Sequence, residues 1–172
     1  MAVRTAGGMN MSFRREAFSY CRFSQDFGHI GQEQRKVGHV EDDAEFSINL
    51  RLKTGKLILY NPRVRVQHRV YAYRLSRRFV RGQAYWQGYS KALLRRIYRN
   101  DPDTRALLRE RALLRRILLN LLPRIAVGFF RHPRLAWKRL SLTIAVLFHV
   151  TLGYSSAGLP WLGRLTHPKY GS

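Results

Sequence analysis

The sequence predicts an α/β fold in its first part, followed by basic helices and an apolar segment. Three observations support this class. Residues 41–54 place apolar side chains at helical spacing and stop at Gly55, which predicts a helix. Residues 56–60 are apolar after Lys56, and residues 63–68 alternate polar and apolar side chains, which predicts two short strands. From about residue 76 the pattern becomes helical and strongly basic.

The bulk composition indicates a folded protein. With 172 residues the chain can bury a core, and its hydrophobic fraction of 45 % excludes a disordered basic tail. The single cysteine, Cys21, excludes an internal disulfide and a cysteine-rich metal site. A reducing compartment is therefore the simpler prediction.

Positive charge is spread unevenly along the chain, whose formal net charge is +22. Residues 1–73 hold 12 Lys/Arg and 7 Asp/Glu, whereas residues 74–139 hold 18 and 3. The last 33 residues hold 2 Lys/Arg and no acid. This gradient predicts a mixed first part, a strongly basic helical part and an apolar tail. The predicted segments are 1–99, 100–139 and 140–172. The gradient narrows the partners to nucleic acid, anionic lipid head groups or phosphorylated substrates.

The basic part predicts helices that lie at a membrane. One helix is expected over about 76–99 and a second over about 103–121, where leucines and arginines alternate as in an interfacial helix. Pro123 is expected to end or kink the second helix. Residues 140–162 are apolar and long enough to span or dip into a bilayer. The alternative is that these helices pack on each other.

A short acidic cluster, consisting of Glu41, Asp42, Asp43 and Glu45, interrupts the basic chain. Four of the ten acidic residues lie within these five positions. Because like charges repel, the cluster predicts a metal ion, a cationic partner or a proton-abstracting carboxylate. A general base contributes typically about 10²–10⁴-fold to a rate. The alternative is that the acids only stabilise a helix N-terminus and pair with arginines.

An ordered set of motifs resembles the family 2 glycosyltransferases. The set runs Gly-Gly-Met-Asn-Met-Ser-Phe-Arg-Arg (7–15), Glu-Asp-Asp-Ala-Glu-Phe (41–46), Arg-Leu-x-x-Gly (51–55), Asn-Pro (61–62) and Val-x-His (66–68). Tyr73-Arg74 and the segment 87–91 resemble archaeal and bacterial members that act on polyprenyl- or dolichyl-phosphate sugars. The resemblance covers roughly residues 4–96 and extends more loosely to the apolar tail.

The resemblance implies that residues 1–99 form the acceptor-side half of a GT-A fold. The implied reaction is inverting transfer of a sugar from a nucleotide-sugar donor to a lipid-linked or glycan acceptor. Asp42, next to Glu41, matches the general base of this family. Asp43 is a close alternative, because its distance from Arg51 and Gly55 fits slightly better.

Further residues match the family's binding positions. Gly7, Gly8 and Asn10 match the loop that borders the acceptor and the donor sugar. His68 matches a histidine that in some relatives helps bind the metal or the diphosphate; a strand-end surface histidine is the alternative.

The region of Arg78, Arg81 and Trp86 lies where processive relatives carry Gln-x-x-Arg-Trp, and the sequence departs from that motif. Processive polymer synthesis is therefore not expected. Arg78 or Arg81 is a candidate to clamp the departing diphosphate, because guanidinium groups match phosphate geometry. The alternative for either arginine is a solvated helix face.

The resemblance also implies a nucleotide-binding half before residue 1. That half would supply the uridine pocket and an Asp-x-Asp that holds Mg²⁺ or Mn²⁺. The pair Asp101 and Asp103 is no substitute, since it resembles helix capping at Asp101 and Pro102. We therefore expect a fragment that is inactive alone, on the cytoplasmic face of the cell membrane.

Two other functions remain open at this level. A nucleic-acid-binding module is favoured by the net charge of +22 and the interleaved aromatic residues. The apolar tail and the acidic cluster oppose it, so no nucleic-acid partner is expected. A non-catalytic membrane-anchoring fragment is the other alternative.

Overall fold

The computed structural model describes residues 1–3, 5–24, 27, 41–100, 112 and 114–159. These residues are mostly helical and include a two-stranded sheet. They divide into two units, Met1–Phe79 and a second unit that begins at Val80. The GT-A assignment and the three predicted segments, 1–99, 100–139 and 140–172, stay predictions.

The first unit combines a small sheet with two α-helices. Strand β1 (Ala2–Val3) pairs antiparallel with β2 (Ile58–Leu59), with Ala2 opposite Leu59 and Val3 opposite Ile58. Helix α1 covers Ala17–Tyr20 and helix α2 covers Asp42–Thr54. A 3₁₀ helix follows at Ala72–Leu75.

Phe46 of α2 is the centre of the first unit's core and is 0 % exposed. The rings of Phe13, Phe18 and Phe23 lie 4.7, 5.6 and 4.3 Å from its ring, measured between centroids. Phe23 and Phe13 adopt the stacked and edge-on geometries that aromatic pairs prefer. This cluster fixes α2 against the segment 13–23.

The predicted helix over 41–54 is confirmed. Its first turn carries three acids and its last turn carries Arg51 and Lys53, which complements the helix dipole. The helix ends at Gly55, whose φ of 66° is the left-handed conformation that glycine adopts without a Cβ clash.

The strand predictions are only partly right. The strand expected over 56–60 is shortened to Ile58–Leu59. The strand expected over 63–68 is wrong: this segment makes no ladder with any described residue. Val64 and Val66 are 54 % and 53 % exposed, so the apolar side chains of this segment are not covered by a core.

The second unit is helical. Helix α3 (Arg77–Ile97) begins at the end of the first unit and continues through the second, and it confirms the helix expected over 76–99. A π-helical turn, Ile117–Leu121, precedes α4 (Leu122–Arg131), and α5 covers Pro133–Gly158. Most of the helix expected over 103–121, including the proposed cap at Asp101, lies outside the described residues. Pro123 directly follows the π-helical turn in a helical run that is continuous from Ile117 to Arg131, and its missing N–H interrupts the regular α-helical hydrogen bonding there.

Helices α3 and α5 approach each other at two glycines. A Cβ added to Gly88 would lie 2.0 Å from the carbonyl oxygen of Val150, and one added to Gly153 would lie 1.9 Å from that of Tyr85. The Tyr85 hydroxyl is 2.8 Å from Oγ of Ser156 in the same buried contact. The backbones can therefore touch only because both positions lack a side chain.

Small residues make up much of the buried face of α3. Among its larger apolar and aromatic side chains, Tyr85, Trp86 and Leu94 are buried, whereas Phe79, Tyr89 and Leu93 are half-buried. The small residues Gly82, Ala84, Gly88 and Ser90 are buried as well.

Candidate active site

The acidic cluster lies where α2 begins. Glu41 precedes the helix with a φ of 76°, a left-handed conformation that is unusual for a residue with a Cβ. Its carbonyl oxygen accepts a hydrogen bond from the N–H of Glu45 at 2.8 Å and so starts the helix. The strained residue thus turns the chain at the point where the carboxylates are presented.

Asp43 connects this helix terminus to the loop that contains Gly7 and Gly8. The N–H of Gly8 donates to Oδ2 of Asp43 at 2.7 Å, and the N–H of Ala44 donates to Oδ1 at 2.7 Å. Both oxygens are therefore oriented by backbone donors. A Cβ on Gly8 would lie 3.4 Å from Oδ2, so the loop approaches the carboxylate closely.

Two further contacts hold the same loop. The N–H of Ala6 donates to Oγ of Ser47, a side chain that is 0 % exposed, at 3.1 Å. The N–H of Asn10 donates to the carbonyl of Gly7 at 3.1 Å and closes a turn. The loop is thus fixed to α2 at two points one helical turn apart.

A cleft of about 660 Å³ lies beside this loop. Its apolar lining includes side chains of β1, β2 and the segments around them, and its polar lining includes Asn10 and Asn61. The side chain of Asn10 also donates to the carbonyl of Val64 at 3.4 Å. Ligand pockets in proteins have this size and this mixture of apolar walls with a few polar groups.

One face of α2 joins the carboxylate to the cleft. Asp43, Ser47, Leu50 and Thr54 follow one another at spacings of four, three and four, which places them on one side of a helix. Asp43 and Ser47 hold the loop, while Leu50 and Thr54 line the cleft. Asp43 itself does not line the cleft; the loop that it holds contributes Gly7 and Asn10 to the lining.

The other acids of the cluster differ from Asp43 in position. Glu41, Asp42 and Asp43 are all half-buried, and the contact to the glycine loop is made by Asp43. Glu45 is 4 % exposed and is therefore not accessible to a substrate. The structure brings Gly8 and Asp43 together, and the roles predicted for Gly7, Gly8, Asn10 and the acids stay predictions.

The described residues do not form a metal site. Among them no three His, Cys, Asp or Glu side chains are grouped closely enough to hold an ion, and His68 is exposed. These residues therefore do not fit Mg²⁺ or Mn²⁺ on their own, and the role predicted for His68 stays a prediction.

The remaining predicted residues lie on α3. Arg78 belongs to the first unit and Arg81 to the second, and both side chains are exposed. Trp86 is 7 % exposed and its ring meets those of Tyr85 and Tyr89 edge-on. Trp86 therefore packs in the second unit, and the binding roles of all three predicted residues stay predictions.

Ser47 and the carbonyl of Val64 were not predicted as site groups. A signal for Ser47 exists, because a serine four residues after Asp43 shares its helix face. No sequence pattern identifies a single backbone carbonyl such as that of Val64.

Within the described part of the chain, one helix, α5, has the length and composition needed to cross a membrane. It runs over Pro133–Gly158, so it begins before the apolar segment predicted over 140–162. This property is compatible with membrane association.

Part of the chain is similar to the glucosyl-dolichyl phosphate glucuronosyltransferase of Haloferax volcanii. The two sequences are 30 % identical over 103 residues, which is 59 % of this chain and 31 % of the relative. The chain is related to a glycosyltransferase. It spans about a third of the length of this curated relative. No family model and no solved structure matches the chain.

Proposed function

We propose that this chain is the acceptor-side part of an inverting family 2 glycosyltransferase that moves a sugar from a nucleotide-sugar donor to a lipid-linked acceptor. The observation that carries the proposal is the hydrogen bond from Gly8 to Asp43 beside the cleft. The partial similarity to a glycosyltransferase supports the same reaction class.

Asp43 is the general base in this proposal. Each oxygen of its carboxylate accepts one N–H, and a carboxylate has about four lone-pair positions, so the group can still accept a proton. As the acceptor hydroxyl oxygen attacks the anomeric carbon, its proton passes to Asp43. The new glycosidic bond forms while the bond to the nucleoside diphosphate breaks on the opposite side, which inverts the configuration.

The geometry favours Asp43 over Asp42. A general base must be held within hydrogen-bond reach of the hydroxyl that it deprotonates. The loop that the family resemblance associates with the sugar contacts Asp43, and that carboxylate is oriented by two backbone donors. Asp42 lies one residue away, about 100° around the helix, so the same loop cannot orient both groups equally.

The cleft is the proposed acceptor site. Its apolar lining suits the hydrocarbon part of a lipid-linked acceptor, and Asn10 and Asn61 suit a sugar or phosphate. The relative's name specifies a glucosyl-dolichyl phosphate, which is an acceptor of this chemical class. No step is assigned to Mg²⁺ or Mn²⁺ here, since the described residues do not form its site.

The distribution of charge around α5 supports a location on the cytoplasmic side of a membrane. In the twenty residues before position 140 there are five Lys/Arg, whereas the 14 residues after Gly158 contain two. Basic residues flanking a span favour the cytoplasm. The first unit, which precedes α5, would then be on the cytoplasmic face.

The test is a transfer assay. The gene is expressed with its flanking coding sequence, and membranes are supplied with radiolabelled nucleotide sugars and polyprenyl-phosphate or polyprenyl-phosphate-sugar acceptors. We expect a labelled lipid that requires both donor and acceptor. Absence of a product with every pair, together with tight RNA binding at physiological salt, would replace this function by a nucleic-acid-binding one.

A further inference from the structure

The corner between α4 and α5 exposes two aromatic side chains. Phe130 is 92 % exposed and Trp137 is 63 % exposed. Four cationic side chains flank them, and all four are exposed: Arg131, Arg134, Lys138 and Arg139. We call these six residues the basic aromatic corner.

The corner is held by close packing beneath it. Ile125 of α4 and Ala136 of α5 are each 3 % exposed, and a Cβ on Gly128 would lie 3.6 Å from that of Ala136. Between the helices the carbonyl of His132 accepts hydrogen bonds from the N–H groups of Leu135 and Ala136, both at 3.0 Å. The two exposed aromatic rings therefore project from a packed helix pair.

The corner lies next to the apolar stretch of α5. Residues 140–158 contain no charged side chain, and these 19 residues extend about 28 Å as a helix, close to the hydrocarbon thickness of about 30 Å. Trp137 precedes this stretch by three residues, or about 5 Å along the axis. Tryptophan is enriched at this depth in membrane proteins, and Lys and Arg extend from it to the head groups.

The charge of the corner indicates the kind of partner that it binds. The sequence contains no Asp or Glu after Glu110, so the corner and the helices around it carry positive charge without a local acid. Such a surface attracts anionic groups, and the neighbouring uncharged stretch of α5 has the length and composition to enter a hydrocarbon phase. A bilayer with anionic head groups supplies the negative charge and the hydrocarbon phase.

We propose that the basic aromatic corner binds the phosphate groups of anionic phospholipids, with Phe130 and Trp137 inserted at the bilayer surface. The corner belongs to the second unit and the cleft to the first, and the proposal does not depend on the transferase proposal. A membrane is favoured over RNA because the aromatic residues lie beside the uncharged segment of α5.

The test is a flotation assay of the full chain, diluted from mild detergent onto vesicles of phosphatidylcholine with or without phosphatidylglycerol. The readout is the partition coefficient on vesicles with phosphatidylglycerol divided by that on vesicles without it. This ratio cancels the contribution of α5 itself, which is common to both compositions. One variant carries Arg131→Gln, Arg134→Gln, Lys138→Gln and Arg139→Gln. Each charge is expected to contribute about fivefold, so removing all four should lower the ratio by up to about 600-fold.

A matched variant controls for net charge. It carries Arg63→Gln, Arg65→Gln, Arg96→Gln and Arg99→Gln, four exposed cations outside the corner. Its ratio should fall less than fivefold, and replacing the three corner arginines by lysine should preserve the ratio. Circular dichroism checks that each variant is folded.

The aromatic residues have a distinct expected effect. Phe130→Ser with Trp137→Ser should weaken binding to both vesicle types and leave their ratio unchanged. Four results would overturn the proposal: a wild-type ratio near one, equal losses in the two charge variants, displacement by inorganic phosphate at constant ionic strength, or tighter binding to RNA than to anionic vesicles.

Discussion

The N–H of Gly8 and Oδ2 of Asp43 are 2.7 Å apart, although 35 residues separate them in the sequence. This hydrogen bond joins the glycine loop to the first turn of α2. It orients the carboxylate on the loop whose Gly7 and Asn10 line the cleft, which is why Asp43 is the proposed base.

Asp43→Asn should lower the rate of sugar transfer by about 10²–10⁴-fold, because the amide keeps the shape but cannot accept the proton. Asp42→Asn should lose less than tenfold. Initial rates with a defined donor and acceptor measure both. A larger loss in Asp42→Asn than in Asp43→Asn would assign the base to Asp42. Equal losses below tenfold would show that the acidic cluster takes no part in the reaction.

Gly8→Ala should lower kcat about tenfold and change KM little. The new Cβ would lie 3.4 Å from Oδ2 of Asp43, so the carboxylate must move by a few tenths of an ångström. Steady-state kinetics separates kcat from KM. Gly158→Ala, where a Cβ meets nothing within 4 Å, is the comparison. Wild-type kcat in Gly8→Ala would show that this contact does not position the base.

Gly88→Ala and Gly153→Ala should each reduce the free energy of unfolding by about 3 kcal/mol. At both positions the added Cβ would meet a backbone carbonyl oxygen at 2.0 Å or less, and backbone cannot rotate away. Thermal unfolding in mild detergent, followed by circular dichroism, measures the loss. Gly158→Ala should be neutral or slightly stabilising, since alanine favours helices. Equal melting temperatures for all three variants would contradict the close approach.

Cys21 should react slowly with alkylating reagents in the folded protein. Burial raises the pKa of its thiol; Lys53 opposes this increase and Glu45 adds to it. The pH midpoint of alkylation should therefore lie above that of the unfolded chain. Because the folded state holds the proton more tightly, the free energy of unfolding should fall as pH rises past the ordinary thiol pKa. Coincident midpoints for the folded protein and the protein in denaturant would contradict this assignment.

The local sequence was sufficient to predict the helices whose apolar residues recur at clear helical spacing. It predicted α2 from the acids in its first turn, the basic residues in its last turn and the stop at Gly55, since these features act within one helix. It also predicted α3 and the membrane-compatible length of α5. The alternation over 63–68 gave a false strand, because a strand requires a partner and a covered face that alternation alone does not specify.

The sequence by itself determined the charge gradient, the helix periodicity and the presence of an acidic cluster and a glycine loop. Only the tertiary structure decided that Gly8 meets Asp43 and that Gly88 and Gly153 allow two backbones to touch. The physical reason is distance along the chain. Helix signals arise between residues three or four apart, whereas these contacts depend on how whole elements pack around Phe46 in the first unit and around Tyr85 in the second.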